Sequence, residues 1–256
     1  MIVALVRWVV RAVGALLLVV IACRFVNPPV TSLMVIRAVE TRAPTWLRQP
    51  VALHAVSPAL LRAVIAAEDG RFLVHHGVDW GALERAREYN ERWNGRRLRG
   101  AGTITMQCAR TVFLWPGRSY VRKALEIGLA YVLELTWGKR RILEVYVNSV
   151  EWGDRVYGVE AAARRYFGVP AARLDAQQSA LLAAVLPNPR RWSPVAPTPY
   201  IRARASIIAT RAARVGLGRL VRAGGGSASS PFASAGRARG RGGGARGAPR
   251  TRSTWG

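Results

Sequence analysis

The chain has 256 residues, half of them hydrophobic, which is enough for one sizeable domain with a real core. Its 39 Lys and Arg against 14 Asp and Glu give a net charge of +25, carried almost wholly by arginine. That balance points to anionic partners: nucleic acid, acidic lipid headgroups or phosphorylated substrates. The two cysteines, Cys23 and Cys108, make no disulfide framework, and three histidines without metal-ligand spacing to cysteine argue against a zinc site.

Residues 1–26 read as a single-pass membrane anchor. Ala12–Cys23 is uninterrupted and apolar, and Ile2–Val10 extends it with Arg7 as a break. A clean stretch starting at Ala12 is short of the roughly 20 residues of a full span, so Arg7 and Arg11 are expected to snorkel. Val20-Ile21-Ala22-Cys23 loosely resembles a lipoprotein box, against which the uncleaved anchor is the stronger reading. Arg7 and Arg11 favour an N terminus inside, with the following domain facing outward. Residues 27–56, with Pro28, Pro29, Pro44 and Pro50, read as a connector too broken for one helix.

From Ser57 to about Leu220 the periodicity is helical, and 57–222 is taken as the domain. Ser57-Pro58 is a helix start, a hydroxyl cap followed by a proline where no donor is missed. Tyr120–Trp137 behind Ser119, Lys139–Val147, and Val156–Phe167 stopped by Gly168 are further helices. Asp175 and Gln178 form a candidate capping box for the helix running to Leu186. No alternating run is long enough to predict a sheet. The tail 223–256, with ten glycines and six arginines, is too poor in apolar residues to fold and is expected to be disordered.

Glu68 closes the first of these helices on the same face as Val64 and Leu61. A carboxylate on an apolar stripe is desolvated and its pKa raised, as a general base near neutral pH requires. Taken alone, such a residue is more often the partner of an arginine than a catalyst. A second carboxylate, Glu126, lies four residues after Arg122 with Lys123 beside them, which reads either as an intrahelical ion pair or as a charge cluster facing a cleft. Between the two, Gly100–Gln107 is a Gly- and Thr-rich loop able to bring amides and hydroxyls to a phosphate or a sugar, and Arg110 follows it.

Several motifs in order give these residues a family context. Glu68–Asp79 resembles the first motif of the family-51 glycosyltransferases, E-D-x-R-F-x-x-H-x-G-x-D. Arg122-Lys123-x-x-Glu126 resembles the third, Arg141–Asn148 the fourth (R-I-L-E-x-Y-x-N) and Ala180–Pro189 the fifth. The likeness covers roughly residues 55–215, and the subgroup it suggests is the monofunctional one, with an anchor and no penicillin-binding domain.

The resemblance implies a mainly α, lysozyme-like all-helical lobe behind the anchor. It implies inverting polymerisation of glycan strands from lipid II, with release of undecaprenyl pyrophosphate. Glu68 would be the base for the acceptor hydroxyl, and Glu126 the second catalytic carboxylate beside the donor diphosphate. Asp69, Phe72, Thr103, Thr105, Gln107, Arg110, Arg122 and Lys123 complete the implied substrate-binding set, with Phe72 and His75 chiefly orienting the Glu68 segment. No tightly bound cofactor is expected beyond a divalent cation, Mg or Mn, at the diphosphate. The implied partners are lipid II, the nascent strand, the membrane and other cell wall or division proteins. The implied location is the bacterial inner membrane with the domain on its periplasmic side.

The second motif departs from the family pattern G-[GA]-S-T-[IL]-[ST]-Q-Q. Gly102 stands for the serine, Met106 for the first glutamine, Arg110 for a lysine and Thr111 for an asparagine. Each lost polar contact is worth on the order of 1 kcal/mol, so reduced activity is the expectation. Two alternatives are a lytic, glycan-cleaving enzyme and a degenerate paralogue that binds lipid II without turnover. Without a nucleic-acid motif, charge alone does not support a nucleic-acid binder.

Overall fold

The computed structural model describes residues 1–42, 46–94, 100–117 and 119–221, and the Gly/Arg-rich tail lies outside them. The chain opens with one continuous helix, α1 (Ile2–Phe25). Its stretch Val3–Phe25 has a mean hydropathy of 2.2 over 23 residues, long and apolar enough to cross a membrane. Arg7 and Arg11 do not interrupt the helix, so the usable length is twice the apolar run that begins at Ala12.

The connector is more ordered than its prolines suggest. Thr31 caps α2 (Ser32–Thr41) by accepting from the Met34 amide at 3.3 Å. The Ser32 hydroxyl reaches the carbonyl of Thr111, 3.2 Å away, and that of Leu114. A two-residue strand, β1 (Leu47–Arg48), pairs in parallel with β3 (Val156–Tyr157), which pairs antiparallel with β2 (Glu151–Gly153). Strands this short leave no alternation to read, which is why the sheet was not expected. Arg48 reinforces it by donating to the Asn148 carbonyl at 3.2 Å.

The helices of the domain start and stop where local chemistry demands. Ser57 caps α3 (Pro58–Glu68), with Pro58 in the first turn. Asp79 caps α4 (Trp80–Arg92), Thr103 caps α5 (Ile104–Phe113) and Ser119 caps α6 (Tyr120–Thr136). Next come α7 (Gly138–Ser149) and α8 (Val159–Phe167). The helix expected from Val156 begins only at Val159, because Gly158 at φ +82 breaks the chain there and Val156–Tyr157 is strand. Asp175 and Gln178 form the reciprocal capping box of α9 (Ala176–Val185). The chain continues as α10 (Pro199–Ala212) and the short α11 (Gly218–Val221).

One large core joins α3, α5, α6, α7 and α8, with Phe72, Tyr146 and Trp152 among its fully buried side chains. A second, alanine-rich cluster packs α3 against α9 and α10, where small side chains let the backbones approach closely. Glu68 is thus the last residue of a helix buried on two sides.

The anchor is bonded to the domain. Val20 and Cys23 enter the large core. Trp137 donates its indole N–H to the Val20 carbonyl at 2.8 Å, and Arg141 donates to the Cys23 carbonyl at 2.8 and 3.1 Å. These are carbonyls of the last helical turn, which otherwise lack full partners.

Candidate active site

Glu68 stands at the C-terminal end of α3 with its side chain 13% exposed. Gln107 of α5 donates its amide to Glu68 Oε2 at 2.9 Å, and Tyr146 of α7 donates its hydroxyl to Gln107 Oε1 at 3.2 Å. Arg204 of α10 comes within 4.0 Å of Glu68 Oε1. Burial pushes the Glu68 carboxyl above its ordinary range; the Gln107 bond and the Arg204 and Arg110 guanidiniums pull it back, and the Asp69 charge adds to the rise.

Asp69 does a different job. Its carboxylate meets His75 Nε2 at 2.9 and 3.0 Å and accepts from the Ile104 amide at 2.9 Å. It therefore fixes the first turn of α5, the helix that carries Gln107. Gly77, at φ +86, lets this loop approach α6: a Cβ there would lie 3.0 Å from the Ala130 carbonyl oxygen. Thr103 donates to the Gly77 carbonyl at 2.5 Å while accepting from Met106 N at 3.1 Å.

The second carboxylate is enclosed by positive charge. Glu126, 2% exposed, pairs with Arg122 on its own helix, with Lys123 Nζ at 3.5 Å and with Arg110 Nη1 at 3.8 Å. Burial draws the Lys123 ammonium below its usual range; Glu126 opposes that, and the nearby Arg110 and Arg122 add to it. Arg110 also acts electrostatically on Glu68, so one guanidinium serves both carboxylates. Among the described residues no three Asp, Glu, His or Cys side chains converge as metal ligands. Three cations around Glu126 do not fit a divalent ion held by that carboxylate.

Two cavities meet at the Glu68–Gln107 pair. One of about 260 Å³ is bounded by Glu68, Arg71, Arg85, Gly102 and Thr103. The other, of about 240 Å³, is lined by Gln107, Arg110, Arg37, Glu151, Leu186 and Pro189. Arg37 belongs to α2, so the connector supplies part of the cleft wall.

The expected substrate-binding set divides. Arg110 and Lys123 are 41% and 34% exposed at their side chains and reach the cleft as charges. Arg122 is nearly enclosed and bears on Glu126. Four other expectations need correction. The Thr105 hydroxyl is buried and donates to Glu134 at 2.7 Å, the Thr103 hydroxyl is occupied as a cap, and Asp69 is bonded internally. Phe72 is fully buried with Lys139 4.6 Å above its ring. Gln107 faces the cleft, but its amide is engaged with Glu68 and Tyr146.

Met106 is corrected as well. It is 1% exposed in an apolar cluster with Val78 and Ala130, so it removes no polar contact from the cleft. Sequence reasoning missed Tyr146 and Arg204. Tyr146 lay in plain view inside the Arg141–Asn148 motif, whereas nothing local marks Arg204.

A desolvated carboxylate beside a cleft, with a cationic cluster across from it, defines a site for deprotonating a hydroxyl next to an anionic leaving group. The sequence model of the family described as Transglycosylase matches residues 36–213, and the chain belongs to that family. It is similar to the biosynthetic peptidoglycan transglycosylase of Rhodospirillum centenum, 57% identical over 78% of this chain and 87% of the relative. Proteins of the same name from Caulobacter vibrioides (54%, over 72% and 79%) and Xanthomonas campestris (45%, over 82% and 88%) are also similar.

Proposed function

We propose that this transglycosylase polymerises peptidoglycan strands from lipid II, transferring the donor glycan to the 4-hydroxyl of an acceptor sugar with inversion and release of a polyprenyl diphosphate. The observation that carries the reading is the pairing of two unlike carboxylates through Arg110. Glu68 is desolvated and bonded by one amide, suited to taking a proton. Glu126 is saturated with positive charge.

Glu68 removes the acceptor proton as the hydroxyl attacks the anomeric carbon. Arg110 and Lys123 neutralise the departing diphosphate, charge stabilisation at the point where negative charge develops. Glu126, almost fully enclosed, acts through these cations by holding them in one array. Any Mg or Mn ion at the diphosphate would be carried by the substrate's own oxygens, and none of the steps above depends on it. The cationic array favours a diphosphate leaving group over cleavage of a neutral glycan. The burial of Met106 removes half of the motive for a degenerate, non-catalytic paralogue.

In the same proposal α1 holds the chain in the inner membrane with the domain on the periplasmic side, which the arginines Arg7 and Arg11 near its start support. The test is full-length protein with labelled lipid II in detergent, products separated by length. Long glycan strands are expected. Shortening of added glycan instead would favour a lytic enzyme.

A further inference from the structure

We propose that Tyr146 is a positioning residue that sets the ionisation of Glu68 through Gln107, fixing which end of the amide faces the base. The inference rests on the reading of Glu68 as the acceptor's base and names a group that governs it.

A glutamine amide has a donor end and an acceptor end, and in a buried site a flip exchanges them. An ionised carboxylate only accepts, so it needs the NH₂ end. Gln107 presents that end to Glu68 Oε2 at 2.9 Å, and its carbonyl end receives the Tyr146 hydroxyl at 3.2 Å. Tyr146 is 1% exposed within the large core, so its ring has no freedom to leave. Burial together with the nearby Glu68 charge raises the Tyr146 hydroxyl well above its usual pKa, which keeps its proton available for donation. The chain of bonds thus has one polarity, from α7 through α5 to the end of α3.

The other charges acting on Glu68 are Arg204 of α10, Arg110 of α5 and its neighbour Asp69, itself bonded to His75. None of these is bonded to Gln107 in the structure. Removing the Tyr146 hydroxyl leaves the Gln107 carbonyl end without its partner and lets the amide turn toward Glu68 with either end. The carboxyl then loses a stabilising donor and its pKa rises further. Because the base works ionised, the acid limb of kcat/KM moves to higher pH.

The experiment is the pH profile of lipid II polymerisation for full-length wild type, Tyr146→Phe, Gln107→Met and the double variant, with Glu68→Gln alongside. The expected shift of the acid limb is roughly one pH unit upward, or about tenfold in rate below the limb, with activity recovered on the alkaline plateau. The double variant should shift no further than Gln107→Met, since residues acting through one contact are not additive. A Tyr146→Phe profile that superimposes on wild type, or shifts that add in the double variant, overturns the inference. Gln107→Met tests the link from the other end: an unmoved limb there overturns it whether or not Tyr146→Phe folds. Wild-type activity in Glu68→Gln sinks the base reading itself, whereas an inactive Glu68→Gln with unmoved limbs sinks only the role of Tyr146.

Discussion

The carboxylate of Asp69 holds the first backbone amide of α5, accepting from Ile104 N at 2.9 Å while its other contact is His75. The residue next to the proposed base thereby positions the helix that carries Gln107. Asp69→Ala leaves the Ile104 amide and the His75 ring without this acceptor. A loss of about 1–3 kcal/mol is expected for such a buried, unsatisfied group. Denaturant unfolding of the full chain reads it, and activity should fall with it because α5 loses its register against α3.

Glu68→Gln should stabilise the protein while abolishing polymerisation. A carboxyl whose folded pKa lies above its unfolded one binds more protons folded than unfolded between those two values. Stability then falls as pH rises through that window. The neutral amide escapes this cost at neutral and alkaline pH, and its advantage should vanish well below the unfolded value of about 4.3. Thermal melts of the two proteins across pH check the sign. A lower Tm for Glu68→Gln at pH 8 would contradict the desolvated carboxylate.

Glu126→Gln is expected to be costly in both senses. It leaves the enclosed Arg122 facing Lys123 and Arg110 without a counter-charge. Removing one partner of a buried pair typically costs about 3–5 kcal/mol. Melting temperature and turnover should drop together, and stability should recover in part in the double variant Glu126→Gln/Arg122→Met.

The two departures in the second motif should behave differently. A Cβ on Gly102 would meet only Gln107 Cγ, at 4.0 Å, so Gly102→Ser should leave Tm unchanged. Met106→Gln puts an amide among Val78, Ala130, Leu83 and Ile127, and about 1–3 kcal/mol of destabilisation is expected. A parallel melt of both variants separates a cleft position from a packing one.

Arg141→Ala should loosen the anchor from the domain. Arg141 donates to the Cys23 carbonyl and to Asn27 Oδ1 at 2.9 Å, and it pairs with Glu144, which accepts from the Leu53 amide at 2.9 Å. Hydrogen exchange of the variant should accelerate in residues 24–30 and leave α9 unchanged.

What the sequence made legible is what short-range chemistry controls. Ser57-Pro58, Asp175 with Gln178, and Gly168 announce helix ends because the groups they satisfy lie within four residues. The motifs also marked Glu68, Glu126 and Arg110 as a set. The roles of Thr103, Thr105 and Met106 were not legible, because their partners Gly77, Glu134 and Val78 lie far along the chain and only packing decides which way each side chain faces. The same holds for α2, whose prolines end before Thr31, and for a sheet of two- and three-residue strands. The Tyr146–Gln107–Glu68 chain crosses three helices, so no local pattern could have revealed it.

The central claim is that Glu68 takes the acceptor proton. It is tested most directly by comparing lipid II binding and lipid II polymerisation in wild type and Glu68→Gln under identical conditions. The account predicts equal binding, strands from wild type and none from Glu68→Gln. Strand synthesis by Glu68→Gln near the wild-type rate would contradict it.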